Sequence, residues 1–101
     1  MNDINIINGT IVRPEGCEKA DIGIRGGKIV SVNKPGSLTE AAEKTIDASG
    51  LYVFPGMIDT HVHIRGGILS HRESFASGTQ AAASGGITTI MDCLLYTSDA
   101  A

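Results

Sequence analysis

Pro55-Gly56-Met57-Ile58-Asp59-Thr60-His61-Val62-His63-Ile64-Arg65 places two histidines one residue apart inside an apolar run. On a β-strand, side chains alternate faces, so His61 and His63 project the same way, roughly 6.6 Å apart along the strand. A single metal ion can sit between two imidazoles so placed. Val62 and Ile64 take the other face, and with Met57 and Ile58 before them the strand reads as buried on both sides, the pattern of a parallel sheet covered by helices. The three-residue pattern taken alone leaves two readings level: metal ligands, or hydrogen-bonded core histidines. Asp59 shares the histidine face. It either orients an imidazole or is a satisfied interior acid, and the second reading is preferred.

Working downstream, Ser70-His71-Arg72-Glu73 has the form of a capping box, which predicts a helix starting there. Phe75, Thr79, Ala82 and Ala83 recur near helical spacing, and Gly85-Gly86 supplies a stop. His71 and Glu73 fall in the first turn, where a solvated capping role outweighs a ligand role. Ile87-Thr88-Thr89-Ile90-Met91-Asp92 is β-branched and predicts a second strand. Strand, helix, strand closes as a crossover with both strands parallel.

Upstream, Ile4 to Val12 flank Asn8-Gly9, a dipeptide suited to a type I′ turn, so a hairpin is expected there. Pro14-Glu15-Gly16 breaks the run. Ala20–Arg25 and Lys28–Val32 then alternate around Gly26-Gly27, a second turn. No helix follows those glycines and no G-x-x-x-x-G-K-[ST] is present, so a phosphate loop is set aside. Residues 33–43 read as a polar connection, and Ile46 and Leu51–Phe54 as one or two further short strands. The sum is a small antiparallel sheet, with Tyr52, Phe54 and Phe75 expected in cores.

Composition bounds the function. The 101 residues are 42% hydrophobic and 19% charged, ordinary for a globular chain. A net charge of −3 argues against nucleic acid and anionic membrane surfaces, leaving small molecules as partners. No secretory signal or membrane span is read, so a cytoplasmic location is expected. Cys17 and Cys93 are too few and too distant for a disulfide scaffold and receive no role.

Pro-Gly-Met-Ile-Asp-x-His-x-His resembles the first metal-binding strand of the amidohydrolase superfamily. Ile46–Phe54 upstream, and Arg65, His71-Arg72-Glu73, Ser77-Gly78-Thr79, Ala81–Ala83 and Gly85–Thr89 downstream, are similar to its cyclic-amide hydrolases: dihydroorotases, allantoinases and hydantoinases. The resemblance tips the histidine pair to metal binding. It implies an α/β fold with β: residues 1–54 as half of a small β-sandwich, and residues 55–92 as the first strand-helix-strand unit of a TIM-like (β/α)8 barrel. Such a barrel typically needs about 250 residues, more than this chain holds. An unpaired edge and an apolar face are therefore expected on residues 1–54.

The implied chemistry is metal-assisted hydrolysis of a cyclic amide or ureide at a binuclear zinc centre, with His61 and His63 as ligands of one ion. A carboxylated lysine, two further histidines and an aspartate would lie beyond residue 92. The chain itself is thus expected to be an inactive fragment, and the full-length protein a homo-oligomer. Cys93–Ala101 departs from the family and resembles the translation of a sequencing adapter, so the natural sequence is expected to stop at Asp92. Rival readings are another amidohydrolase (deaminase, deacetylase or isoaspartyl dipeptidase) and a non-catalytic dihydropyrimidinase-like scaffold protein. The intact histidine pair counts against the scaffold.

Arg65 sits two positions after His63, on the same face at the strand's end. Dihydroorotases carry an arginine at this point of H-x-H-[LI]-R to grip the substrate's carboxylate, which a planar guanidinium matches bidentately. Gly66-Gly67-Ile68-Leu69 departs from the acid-Pro-Gly pattern usual in those enzymes. A surface arginine snorkelling at the strand end is the alternative.

Overall fold

Isoleucine recurs at positions 4, 6, 7 and 11, and this apolar content draws the amino-terminal segment into one long strand, β1 (Asn2–Arg13). The structure, a computed structural model, describes residues 1–64 and 74–92. The chain divides into two compact units, Met1–Phe54 and Pro55–Ala101.

In the first unit, β1 is followed by β2 (Gly16–Arg25), β3 (Lys28–Asn33), β4 (Ala42–Asp47) and β5 (Tyr52–Val53). The sheet runs β3-β2-β1-β4, with β5 also paired to β1. Its two hairpins turn at Pro14-Glu15, where Arg13 faces Gly16, and at Gly26-Gly27. The glycines take φ of 60° and 73°, which a type I′ turn demands at both central positions.

Asn8-Gly9 makes no hairpin, contrary to the sequence reading. β1 runs straight through it with one extra residue against β2, because Ile6 faces Ile22 while Gly9 faces Ala20. This is a β-bulge, and Asn8 enters the left-handed region with φ 62°. The Asn8 N–H donates to Asp21 Oδ1 (2.8 Å), and its side-chain amide reaches Asp47 Oδ1 (3.3 Å). Gly9 is needed for close approach: a Cβ there would stand 2.5 Å from Val53 Cγ2. The bulge lies where β1 exchanges β4 for β5 as partner. Both of those strands run parallel to β1, so the sheet is mixed rather than antiparallel.

Ile11, Ala20 and Ile22 form the buried core, flanked by Ile6, Ile24 and Val53. Asn2, Asn5 and Asp21 are buried as well, and each is bonded as burial requires. Asn2 Nδ2 donates to Asn5 Oδ1 (2.9 Å), Asn5 Nδ2 to the Glu40 carbonyl (2.8 Å), and Gly36 N–H to Asp21 Oδ2 (2.9 Å). The apolar side chains of the two edge strands, Ile29, Val30 and Val32 on β3 and Ile46 on β4, are exposed. Tyr52 and Phe54, expected in a core, are exposed too: β5 is only two residues long, Phe54 lies just past it, and β5 pairs only with β1 among the described strands.

The second unit holds β6 (Met57–Val62), α1 (Phe75–Ser84) and β7 (Ile87–Asp92), with β6 and β7 parallel. The Ser70 capping box lies outside the described residues. The helix begins later than expected, at Ser74, whose extended backbone (φ −105°, ψ 167°) marks it as the N-cap. Ser74 Oγ accepts from Ser77 N–H (3.0 Å) and Ser77 Oγ accepts from Ser74 N–H (2.9 Å). That reciprocal pair satisfies two backbone donors left over at the helix start. Gly85 closes the helix, its N–H reaching the Ala82 carbonyl at 3.0 Å. A small residue is needed at Gly78, where a Cβ would stand 3.3 Å from the side chain of Ile64, two residues past the end of β6. β6 is not buried on both faces as its apolar run suggested. Met57 and Ile58 are 54% and 63% exposed, and Phe75 is exposed, with only two strands and one helix among the described residues of this unit to cover them.

Candidate functional site

His61, one residue before the end of β6, and His63, one residue past the strand's end, come together. Their ring centroids are 5.0 Å apart with the planes at 89°, an edge-to-face pair. His61 is exposed and His63 half-buried. The backbone that carries them is irregular. Asp59 faces Ile90 and Val62 faces Asp92, so β6 spends one more residue than β7 over this interval. Within it, His61 N–H donates to Asp59 Oδ1 at 3.1 Å. Just beyond His63, Ile64 N–H donates to Asp92 Oδ1, also at 3.1 Å. Asp59 is half-buried, and its carboxylate meets the backbone of His61. Neither spacing nor periodicity marks Asp92, since its partner lies 28 residues earlier.

The donor chemistry suits a borderline-soft divalent ion. Zinc binds imidazole nitrogen at about 2.0–2.1 Å with tetrahedral angles, which puts the centroids of two ligating rings about 5 Å apart. The observed spacing matches. No group of three or more His, Cys, Asp or Glu side chains gathers for a metal among the described residues, and the pair offers two imidazole donors. Arg65, His71 and Glu73 lie outside the described residues.

The model of the amidohydrolase family matches residues 52–101, a stretch that takes in the whole histidine strand. The chain belongs to the amidohydrolase family.

This amidohydrolase chain is 49% identical over 92 residues to a D-hydantoinase of Ralstonia pickettii, covering 89% of the chain and 20% of that protein. It is 42% identical over 96 residues to an allantoinase of Deinococcus radiodurans, covering 95% of the chain and 21% of the relative. Among solved structures it superposes on the L-hydantoinase of Arthrobacter aurescens with a TM-score of 0.83 at 40% identity, over 91% of this chain and 20% of that one. A more distant likeness is the N-acyl-D-glutamate deacylase of Bordetella bronchiseptica, solved with zinc (TM-score 0.65, 30% identity, 88% and 18% covered). The amidohydrolase chain thus spans about a fifth of the length of these proteins. The match to the family runs to residue 101 and includes residues 93–101, which are not among the described residues. No described helix is long and apolar enough to cross a membrane.

Proposed function

We propose that this chain is the amino-terminal part of a metal-dependent hydrolase that opens a cyclic amide or ureide at a carbon–nitrogen bond. The observation that carries the reading is the His61–His63 pair, 5.0 Å apart at the carboxy-terminal end of a parallel strand, where barrel enzymes place their chemistry. Residues 1–54 are read as half of a β-sandwich, residues 55–92 as the opening of a (β/α)8 barrel, and residues 93–101 as adapter-derived. A cytoplasmic homo-oligomer is the expected setting of the whole protein.

His61 and His63 would hold one divalent ion, zinc in the first instance, as neutral imidazoles. Such an ion, one of a pair in the whole protein, supplies Lewis-acid polarisation of the amide carbonyl and activation of water. Zinc normally takes three or four protein ligands, so the two offered here hold it weakly and the chain alone lacks hydrolytic activity. Relatives named hydantoinase and allantoinase support a neutral cyclic ureide as substrate. The likeness to a deacylase keeps a linear N-acyl amide as the second reading.

A chimera tests this. Residues 1–92 replace the matching segment of the Ralstonia pickettii D-hydantoinase, and ring opening of hydantoin and allantoin is assayed beside hydrolysis of an N-acyl amino acid. The expected result is ring opening that falls by about a thousandfold or more in His61→Ala or His63→Ala, the scale of several kcal/mol of lost metal assistance. Turnover of the linear amide alone would install the second reading, and full activity in both alanine variants would remove the metal reading.

Arg65 is proposed to contact substrate. In the same chimera, Arg65→Lys should cost about 2 kcal/mol or more in kcat/KM on a carboxylate-bearing cyclic ureide and leave an uncharged hydantoin nearly untouched. Equal losses on both, or none on either, would take Arg65 out of the binding site.

A further inference from the structure

Two carboxylates bracket the histidine segment, and each accepts a backbone N–H there. Asp59 takes the His61 N–H at the entry and Asp92 takes the Ile64 N–H at the exit, each at 3.1 Å. Between those bonds lie His61, Val62 and His63. At the entry β6 carries its extra residue, and a bulge of this kind leaves one residue outside the ladder and re-aims the side chains that follow. Such a residue needs an acceptor for its N–H. An aspartate two residues earlier can provide one by folding its side chain back in an Asx-type turn. A bulge that relaxed into regular pairing would slip the strand by one residue, and a one-residue slip sends every later side chain to the opposite face. At the exit, Asp92 ends β7 and closes on the backbone just past His63, so the segment is tied to the neighbouring strand.

We propose that Asp59 and Asp92 are positioning residues for the metal-binding pair: their carboxylates hold the backbone N–H groups of His61 and Ile64 and so fix the face and spacing of the two imidazoles. This rests on the reading of His61 and His63 as metal ligands. It assigns the two acids a role through the backbone, where carboxylates that support a metal centre more commonly bond the ligating ring itself.

The 101-residue chain itself serves for the test, with cobalt(II) as the probe and paramagnetic broadening of the His61 and His63 ring protons as the readout. Asp59→Ala and Asp92→Ala should each weaken cobalt binding by about tenfold, the range seen when a metal centre loses a supporting group. Asp59→Asn and Asp92→Asn keep an acceptor oxygen and lose the charge, so they should recover most of the affinity. Unchanged affinity in the alanine variants overturns the positioning role, and asparagine variants as weak as the alanine ones overturn it in favour of a charge effect. Ring protons that ignore even a large excess of cobalt in the unmodified chain, enough to reveal weak binding by two ligands, remove the metal reading and the positioning role with it. Should an alanine variant fail to fold, amide exchange in the unmodified chain decides. Slow exchange at His61 and Ile64 supports the two bonds, and exchange as fast as in an unstructured peptide overturns them.

Discussion

The first unit buries a core and the described residues of the second do not, although both are written in the same apolar alphabet. In residues 1–54, Ile11, Ala20 and Ile22 are nearly sealed from water, and three polar side chains are buried with them, each bonded. In the second unit no described residue is buried, and Met57, Ile58, Phe75 and Met91 are more than half exposed. Apolar composition is therefore a statement about what a strand can bury, and burial itself depends on how many layers surround it. What the two units share is smaller in scale. Each has a strand with one residue too many, and each closes the irregularity with an aspartate that accepts a backbone N–H, Asp21 for Asn8 and Asp59 for His61.

The largest test of that contrast is a matched pair of truncations. Ile22→Ala removes a side chain that is 6% exposed and should destabilise the first unit by about 2–3 kcal/mol in urea unfolding, whereas Ile58→Ala, at 63% exposed, should stay within about 0.5 kcal/mol. Equal costs would mean that Ile58 is covered in solution, and the contrast between the units would fail. Next comes Asp21→Ala. It strands the N–H groups of Asn8 and Gly36 and should cost about 1–3 kcal/mol by the same measurement, with Asp21→Asn recovering only part because one of its two groups becomes a donor. A neutral Asp21→Ala would show that water replaces the carboxylate and that the bulge does not depend on it.

The smallest effect is a pH dependence. The Ser49 hydroxyl, then the Ser49 N–H and the Asn8 side-chain amide, hold the Asp47 carboxyl below the usual carboxylate range. A carboxylate depressed in the folded state contributes stability that is present above its unfolded pKa and lost as pH falls through the folded one. Asp47 is fully exposed, so the contribution is small. Urea midpoints taken from about pH 5 down to about pH 2 should fall less in Asp47→Asn than in the unmodified chain, and identical slopes would remove Asp47 from the acid response.

How much of this could be read beforehand differs by feature. The β2–β3 hairpin and its Gly26-Gly27 turn follow from local pattern, and the H-x-H spacing singles out the histidine pair, whereas the extra residue in the backbone that carries the pair leaves no local mark. Asn8-Gly9 misleads for a physical reason. The same tolerance of positive φ serves a turn and a bulge, and the choice is made by Asp21 and Val53, residues far along the chain. The helix start misleads in a similar way. Ser70 with Glu73 matches the common capping pair, yet the cap used is Ser74 with Ser77, a serine in place of the usual Glu or Gln. The parallel pairing of β4 and β5 and the reach of Asp92 to Ile64 are long-range contacts that no local pattern encodes.

The central position of β1 also constrains the order in which its sheet can assemble. Its β2 side needs only the two-residue turn at Pro14-Glu15, a closure that costs little chain entropy. Its other side must wait for Ile4 to meet Lys44 and Thr10 to meet Tyr52, closures that span most of the unit. Loop entropy has to be spent before such contacts return anything, so local ladders form fast and distant ones slowly. While that second side is open, β1 presents a bare row of amides and carbonyls and the side chains of Ile4 and Ile6. The parallel strands β4 and β5 are thus the final closure of an edge that would otherwise be free to recruit another chain.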